Sequence, residues 1–439
     1  MPPDAKNGPA RLNAHAPGFE AAFRSLLLAK REQAEAVDSA VAAIIADVKA
    51  RGDAAVLELT ARFDRLQLDA AGLAISKAEV DAACAQVDAG QLAALRVAAE
   101  RIEAFHARQR PLDDHFTDAA GVRLGLRWTP VDAVGLYVPG GTATYPSSVL
   151  MNAMPARVAG VGRIVMVVPT PDGRLNPLVL AAARLAGVTE IYRVGGAQAV
   201  AALAFGTATI APVDKIVGPG NAWVAAAKRQ VFGTVGIDSI AGPSEILVVA
   251  DKANDPAWIA ADLLSQAEHD TAAQSILITD DAAFADAVVA AVEVHLSRLP
   301  RTEIARTSWQ DNGAVILVAS LDEAAALINR VAPEHLELAV EDPDALAARV
   351  RHAGAIFLGR HTPEAIGDYV AGPNHVLPTA RTARFSSGLG VHDFMKRTTL
   401  VGCDPASLAA IGPAAVTLAR SEGLDAHALS VSIRLGTGG

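Results

Sequence analysis

Apolar residues recur every three and four positions from about Gly18 to Arg110. The segment AVDSAVAAIIADVKARGDAAVLELTARFD keeps that rhythm on both sides of Arg51-Gly52-Asp53, and QLAALRVAAERIEAFHARQRP repeats it up to Pro111. This period predicts helices, broken at the Arg-Gly-Asp and stopped at the proline. Residues 1–17 carry two early prolines and no period, and they read as an arm. From about Pro130 to Pro243 the pattern changes. RIVMVVP, EIYRVGG and DKIVGPG are short β-rich runs, each followed by an Ala-rich helical run. A second set follows in EILVVAD, QSILITDD, GAVILVAS and AGAIFLG. Apolar strands alternating with helices predict parallel sheets covered on both faces. The expected fold class is α/β: two Rossmann-like, doubly wound parallel-sheet units, a helical N-terminal region and a helical C-terminal tail. The tail, after RFSSGLG, has too few apolar residues for a core of its own and is expected to pack on something else.

Composition narrows the function more than the fold. The 439 residues are 51% hydrophobic and 20% charged, and 48 acidic against 38 basic side chains leave a net charge of −10. That balance argues against nucleic acid or an anionic membrane as the main partner. No run approaches the roughly 18 apolar residues of a membrane span, and the first thirty residues hold no signal-peptide core, so the chain reads as cytoplasmic. Cys84 and Cys403 stand far apart, in no metal or redox spacing, and read as reduced thiols.

The candidate chemistry sits in loops and helix ends. GLYVPGGTATYPSS, VGGAQA and VGPGN place glycines before Ala-rich helices, where free N–H groups suit a phosphate; none is a GxGxxG or P-loop pattern. In SQAEHD, Gln266 and His269 (i, i+3) share one helical face and could form half of a metal site, or simply a polar helix end. In APEHLEL, Glu334 and His335 read as a loop pair able to do general-base chemistry, or as an ordinary helix start. GDYVAGPNHVLPT brings Asp368, Asn374 and His375 into an irregular stretch, and SEGLDAHA sets Glu422 and His427 around Gly423. Gln, His, Asp and His donors together suit Zn²⁺ better than Mg²⁺, with Mn²⁺ and Co²⁺ as alternatives.

These motifs, with YPSSVLMNA, DKIVGPGN, AGPSEILV, RFSSGL and DFMKR in the same order over about residues 20–437, resemble the histidinol dehydrogenase family. Met395 and His392 stand where other apolar or aromatic residues are expected. The resemblance implies oxidation of L-histidinol to L-histidine through the aldehyde with two NAD⁺ and one Zn²⁺ per subunit. It implies zinc ligands Gln266, His269, Asp368 and His427, and an acid–base pair Glu334 and His335. Ser244, His375 and Glu422 would join the ligands and His335 around the substrate, and Tyr137, Gln198 and Asn221 would meet the dinucleotide. It further implies a homodimer in which the tail crosses to the partner. The expected division is an arm over 1–30, one α/β domain over 31–136 plus 244–388, a second over 137–243, and the tail over 389–439. The rival readings are a related dehydrogenase of another small polyol, such as a dihydroxypropane sulfonate, a zinc hydrolase, and an inactive zinc-binding scaffold.

Overall fold

The computed structural model describes residues 8–28, 37–140, 145–240 and 242–437; Gly141 of the PGG turn and Ala241 of AGPSE lie outside the described residues. Two parallel sheets carry the fold. The five-stranded sheet has the order Glu190–Tyr192, Arg163–Val167, Ala133–Tyr137, Lys215–Val217, Gly236–Ile237. The chain enters at its central strand, winds outward through two strands, then returns to lay Lys215–Val217 on the other side of Ala133–Tyr137. That reversal is a topological switch point. The six-stranded sheet has the order Ala10–Asn13, Ala314–Leu317, Gln274–Thr279, Glu245–Ala250, His335–Ala339, Ala355–Leu358, and its winding reverses between the fourth and fifth of these.

Both sheets are covered on both faces, which is why strands such as EILVVA and QSILIT are buried throughout. The two-residue period of a strand sorts the side chains. Val134, Leu136, Ile164 and Met166 enter one core, while Ala133, Tyr137, Val165 and Val167 enter the core on the opposite face. The N-terminal helices close these same two cores. Val41, Ile45, Val56 and Leu59 join the second, and Leu95, Ala98 and Ile102 the first. The packing thus differs from the expected division of the chain. Residues 38–107 and the strand Ala133–Tyr137 group with the five-stranded sheet, because an apolar helix stripe does not specify which sheet it covers.

Three shorter elements depart from the sequence reading. Ala10–Asn13, within the expected arm, is an edge strand paired in parallel with Ala314–Leu317; four residues are too few to display a period. His335–Ala339, expected as a loop or helix start, is an interior strand between Glu245–Ala250 and Ala355–Leu358. In the tail, Met395–Gly402 is a strand, antiparallel to Arg123–Pro130, which also pairs with Asp114–Thr117. His392 packs edge-on to Trp128 there. The final helices, Pro405–Ser421 and Asp425–Ser432, pack on each other where Gly412 admits Val431 and Leu435. They leave Leu418, Leu424, Leu429 and Ile433 exposed. Among the described residues no helix is long and apolar enough to cross a membrane.

Candidate active site

One main-chain residue orients the pair that opens the interior strand. Glu245 begins the neighbouring strand, its N–H donates to Glu334 Oε2 (2.8 Å), and its carbonyl lies 3.0 Å from His335 Nδ1. A carbonyl can only accept, so Nδ1 carries a proton, and Nε2 is the nitrogen that becomes free whenever the ring is neutral. Glu334 and His335 are 7% and 4% exposed. They stand at the amino ends of the two switch-point strands, opposite to the end where a doubly wound sheet ordinarily binds ligands.

The acids opposite Nε2 come from the short helix Glu364–Tyr369. Glu364 and Asp368, four apart, share a face, with Glu364 Oε1 3.6 Å and Asp368 Oδ1 3.7 Å from His335 Nε2. Gly367 lets this helix lie directly on the Phe357 ring, where a Cβ would collide. The helix Pro256–Ala267 starts at Asp255, whose side chain caps Ala257 N–H at 2.8 Å, and at Pro256, whose fixed φ suits the first turn. Its last turn delivers Gln266, fully buried, and His269 follows with its N–H on the Gln266 carbonyl (3.1 Å). Ser265 Oγ donates to Glu364 Oε2 at 3.0 Å, tying the two helices. His375 lies 3.0 Å from the Asp368 carbonyl through Nδ1 and 3.3 Å from Ser148 Oγ through Nε2. Ser148 belongs to the helix Pro146–Ala159, which follows the central strand of the five-stranded sheet. The carboxyl edge of that sheet therefore faces the amino edge of the six-stranded one across His375.

Burial raises Glu334 to about 7, against the pull of His335. Burial and the Asp368 charge likewise push Glu364 up to about 7. Burial opposes charge on His335, but Glu334, Asp368 and Glu364 outweigh it and lift the ring to about 10. Asp368 is held well below the carboxylate range: burial works upward, and His335, His375 and His269 overcome it. His269 and His375 are lowered by burial. The ligand atoms of His335, Glu364 and Asp368 lie within 4.8 Å of one another. Both amide atoms of Gln266, His335 Nε2 and Glu364 Oε1 are buried without hydrogen-bond partners. Buried polar atoms are rarely left so. Nitrogen and oxygen donors around excess carboxylate fit a divalent cation.

The structure gathers Glu334, His335, Gln266, His269, Asp368 and His375. Ser244 sits half-buried just before Glu245, its carbonyl accepting from Gln274 N–H at 2.9 Å. Glu422 and His427 are exposed on the tail, and no hydrogen bond or ion pair of theirs to the cluster occurs among the described residues. Tyr137, Gln198 and Asn221 lie apart, at the carboxyl end of the five-stranded sheet. The Tyr137 hydroxyl accepts from Gly196 N–H (3.0 Å), Gln198 is buried, and Asn221 caps Trp223 and Val224 N–H at 3.1 and 3.2 Å. Sequence reasoning missed Glu245 and Glu364. Glu364 had a signal, its four-residue spacing from Asp368; Glu245 works through its peptide group and left none.

A topological switch point at the carboxyl edge of one parallel sheet, beside a buried acid–base cluster at the amino edge of the other, is the arrangement of a two-sheet α/β enzyme. The family model described as histidinol dehydrogenase matches residues 28–435. The chain is 71% identical over 431 residues to histidinol dehydrogenase of Rhodospirillum rubrum, covering 98% of this chain and 99% of that one. It is 67% identical over 427 residues to that of Ruegeria pomeroyi, covering 97% and 99%. The crystal structure of histidinol dehydrogenase from Elizabethkingia anophelis superposes with a TM-score of 0.93 at 37% identity, covering 98% of each chain. The chain belongs to the histidinol dehydrogenase family, a family of NAD-dependent oxidoreductases.

Proposed function

We propose that the protein oxidises L-histidinol to L-histidine through L-histidinal, reducing two NAD⁺, with one Zn²⁺ per subunit held by Gln266, His269, Asp368 and His427. The observation that carries this reading is the buried, unpartnered Gln266 amide beside the His335–Glu364–Asp368 cluster in a chain of this family. When bound, the metal supplies positive charge that orients the imidazole and amino nitrogens of the substrate and offsets the carboxylates that otherwise keep His335 protonated. His335, pinned through Nδ1–H on the Glu245 carbonyl, takes the hydroxyl proton at Nε2 as hydride leaves to NAD⁺. Glu334, lifted to about 7, takes a proton from the water that adds to the aldehyde. The hydrate then loses a second hydride, with His335 again accepting the proton. Alcohol, water and two NAD⁺ thus yield carboxylate, two NADH and three protons.

Ser244, His375 and Glu422 contact the substrate in this reading, and Tyr137, Gln198 and Asn221 the dinucleotide at the switch point. The tail crosses to a second copy, where Glu422 and His427 complete the partner's site. The apolar side chains left exposed on the tail support that exchange. The test follows absorbance at 340 nm with NAD⁺ and L-histidinol, before and after chelation and zinc restoration. Two NADH per histidinol, lost with chelator and regained with zinc, is the expected result. No NADH from zinc-loaded protein would remove histidinol as the substrate.

A further inference from the structure

We infer that the buried Lys228–Asp238 ion pair is a latch that sets dinucleotide affinity by fixing the main chain at Gly218. Gly218 is the first residue after the strand Lys215–Val217, at the switch point beside Tyr137. Its N–H donates to Asp238 Oδ2 at 2.8 Å, and its carbonyl accepts from Lys228 Nζ at 3.0 Å. The same two side chains pair with each other, and they are 3% and 4% exposed. The two peptide units that flank the Gly218 Cα are thereby held by opposite charges, one through its N–H and the next through its carbonyl.

The grip has a reason to be at this residue. Gly218 has φ +111, and a side chain there would collide with the Tyr137 carbonyl. Gly218 therefore packs its backbone on that of Tyr137, whose hydroxyl in turn holds Gly196 N–H. Two residues on, Gly220 leaves no room for a Cβ beside Val224, and Asn221 caps the helix Ala222–Val231 that carries Lys228. Three loops at the carboxyl edge are thus referred to one point. Stability alone gives a poor account of the pair, because apolar residues in place of a buried ion pair are often neutral or stabilising. What apolar residues cannot supply is a charged acceptor for the Gly218 N–H together with a charged donor for the Gly218 carbonyl. A loop held rigid before the ligand arrives does not lose affinity to its own ordering. Lys228 acts through Gly218, since its ammonium is already committed to the Gly218 carbonyl and to Asp238.

This inference rests on the dinucleotide reading above. The test measures NADH binding by nucleotide fluorescence, with KM values for NAD⁺ and histidinol, on the full-length zinc-loaded protein. Asp238→Asn keeps an acceptor for Gly218 N–H but removes the charge. The double variant Lys228→Met/Asp238→Asn leaves no charge unpaired. Both are expected to raise the NADH Kd and the NAD⁺ KM about tenfold or more, with kcat at saturating NAD⁺ and the histidinol KM within about twofold. Val231→Ala, buried at the end of the same helix, controls for lost stability and should leave the NADH Kd unchanged. If the Asn variants do not fold, Asp238→Glu keeps the charges and displaces the carboxylate by one methylene, and the same rise in Kd is expected. A folded variant that binds NADH as the parent does, or that loses kcat at unchanged Kd, overturns the latch. Failure of the unsubstituted protein to bind NADH would instead overturn the dinucleotide reading, and the latch with it.

Discussion

Glu337, in the middle of the strand that begins with His335, is 1% exposed. Burial and the neighbouring Asp262 carboxylate push its carboxyl from 4.5 up to about 9. Asp262 is raised by burial to about 6, with the hydrogen bond from Glu337 pulling it down against that rise. Around neutral pH the native pair therefore keeps one proton, on Glu337, donated to Asp262. In the unfolded chain both carboxyls ionise, so folding takes up a proton. The sign follows directly: this contribution is complete below pH 4.5 and is lost as pH rises through about 9. One proton corresponds to about 1.4 kcal/mol per pH unit, hence about 3 kcal/mol between roughly pH 6 and pH 8. Glu337→Gln keeps a donor for Asp262 and an acceptor for Glu364 N–H, and has no proton to lose. Its urea midpoint, measured against the parent at one protein concentration across this range, should gain on the parent steadily as pH rises. Parallel curves would show that Glu337 is ionised in the native protein and would refute the shared-proton argument.

Other consequences are simpler to state. Glu334→Gln and His335→Asn should each lower NADH production by about 10² to 10⁴, with NADH binding unchanged; a loss under about tenfold would remove that residue from proton transfer. Gln266→Ala should weaken metal retention by at least about tenfold, read as bound zinc after dialysis against graded chelator, and unchanged retention would take the amide out of the ligand set. Mixing equal amounts of inactive His427→Asn and inactive Glu334→Gln subunits should recover about a quarter of parental activity, since about half of the dimers are then mixed and each mixed dimer carries one intact site of its two. No recovery after subunit exchange would mean that each site is built by one chain.

The strands that could be read in advance were those buried on both faces. EILVVAD and QSILITDD are continuous β-rich runs whatever surrounds them, because both sides meet helices. Ala10–Asn13 and Met395–Gly402 were not legible. They are strands through their partners, Ala314–Leu317 and Arg123–Pro130; the first alternates over only four residues, and the second is mostly exposed. His335–Ala339 was hidden differently, since Pro333 and Glu334 imitate a helix start. The register with Glu245–Ala250 decides the matter.

The sequence by itself determined the alternation that makes two parallel sheets, and it carried the residue types from which a metal and acid–base site can be assembled. Periodicity and side-chain chemistry are local properties, and they survive in a string of letters. The tertiary structure alone decided which end of each sheet does what. It set the acid–base cluster at the amino ends of one sheet, facing the carboxyl ends of the other. It also supplied Glu245, which holds Glu334 and His335 through a main-chain N–H and carbonyl that every residue type except proline possesses. It brought Lys228 and Asp238 onto Gly218, ten and twenty residues away in the chain. Such contacts arise from distances closed by packing, and the identity of a residue does not say which distant backbone it will meet.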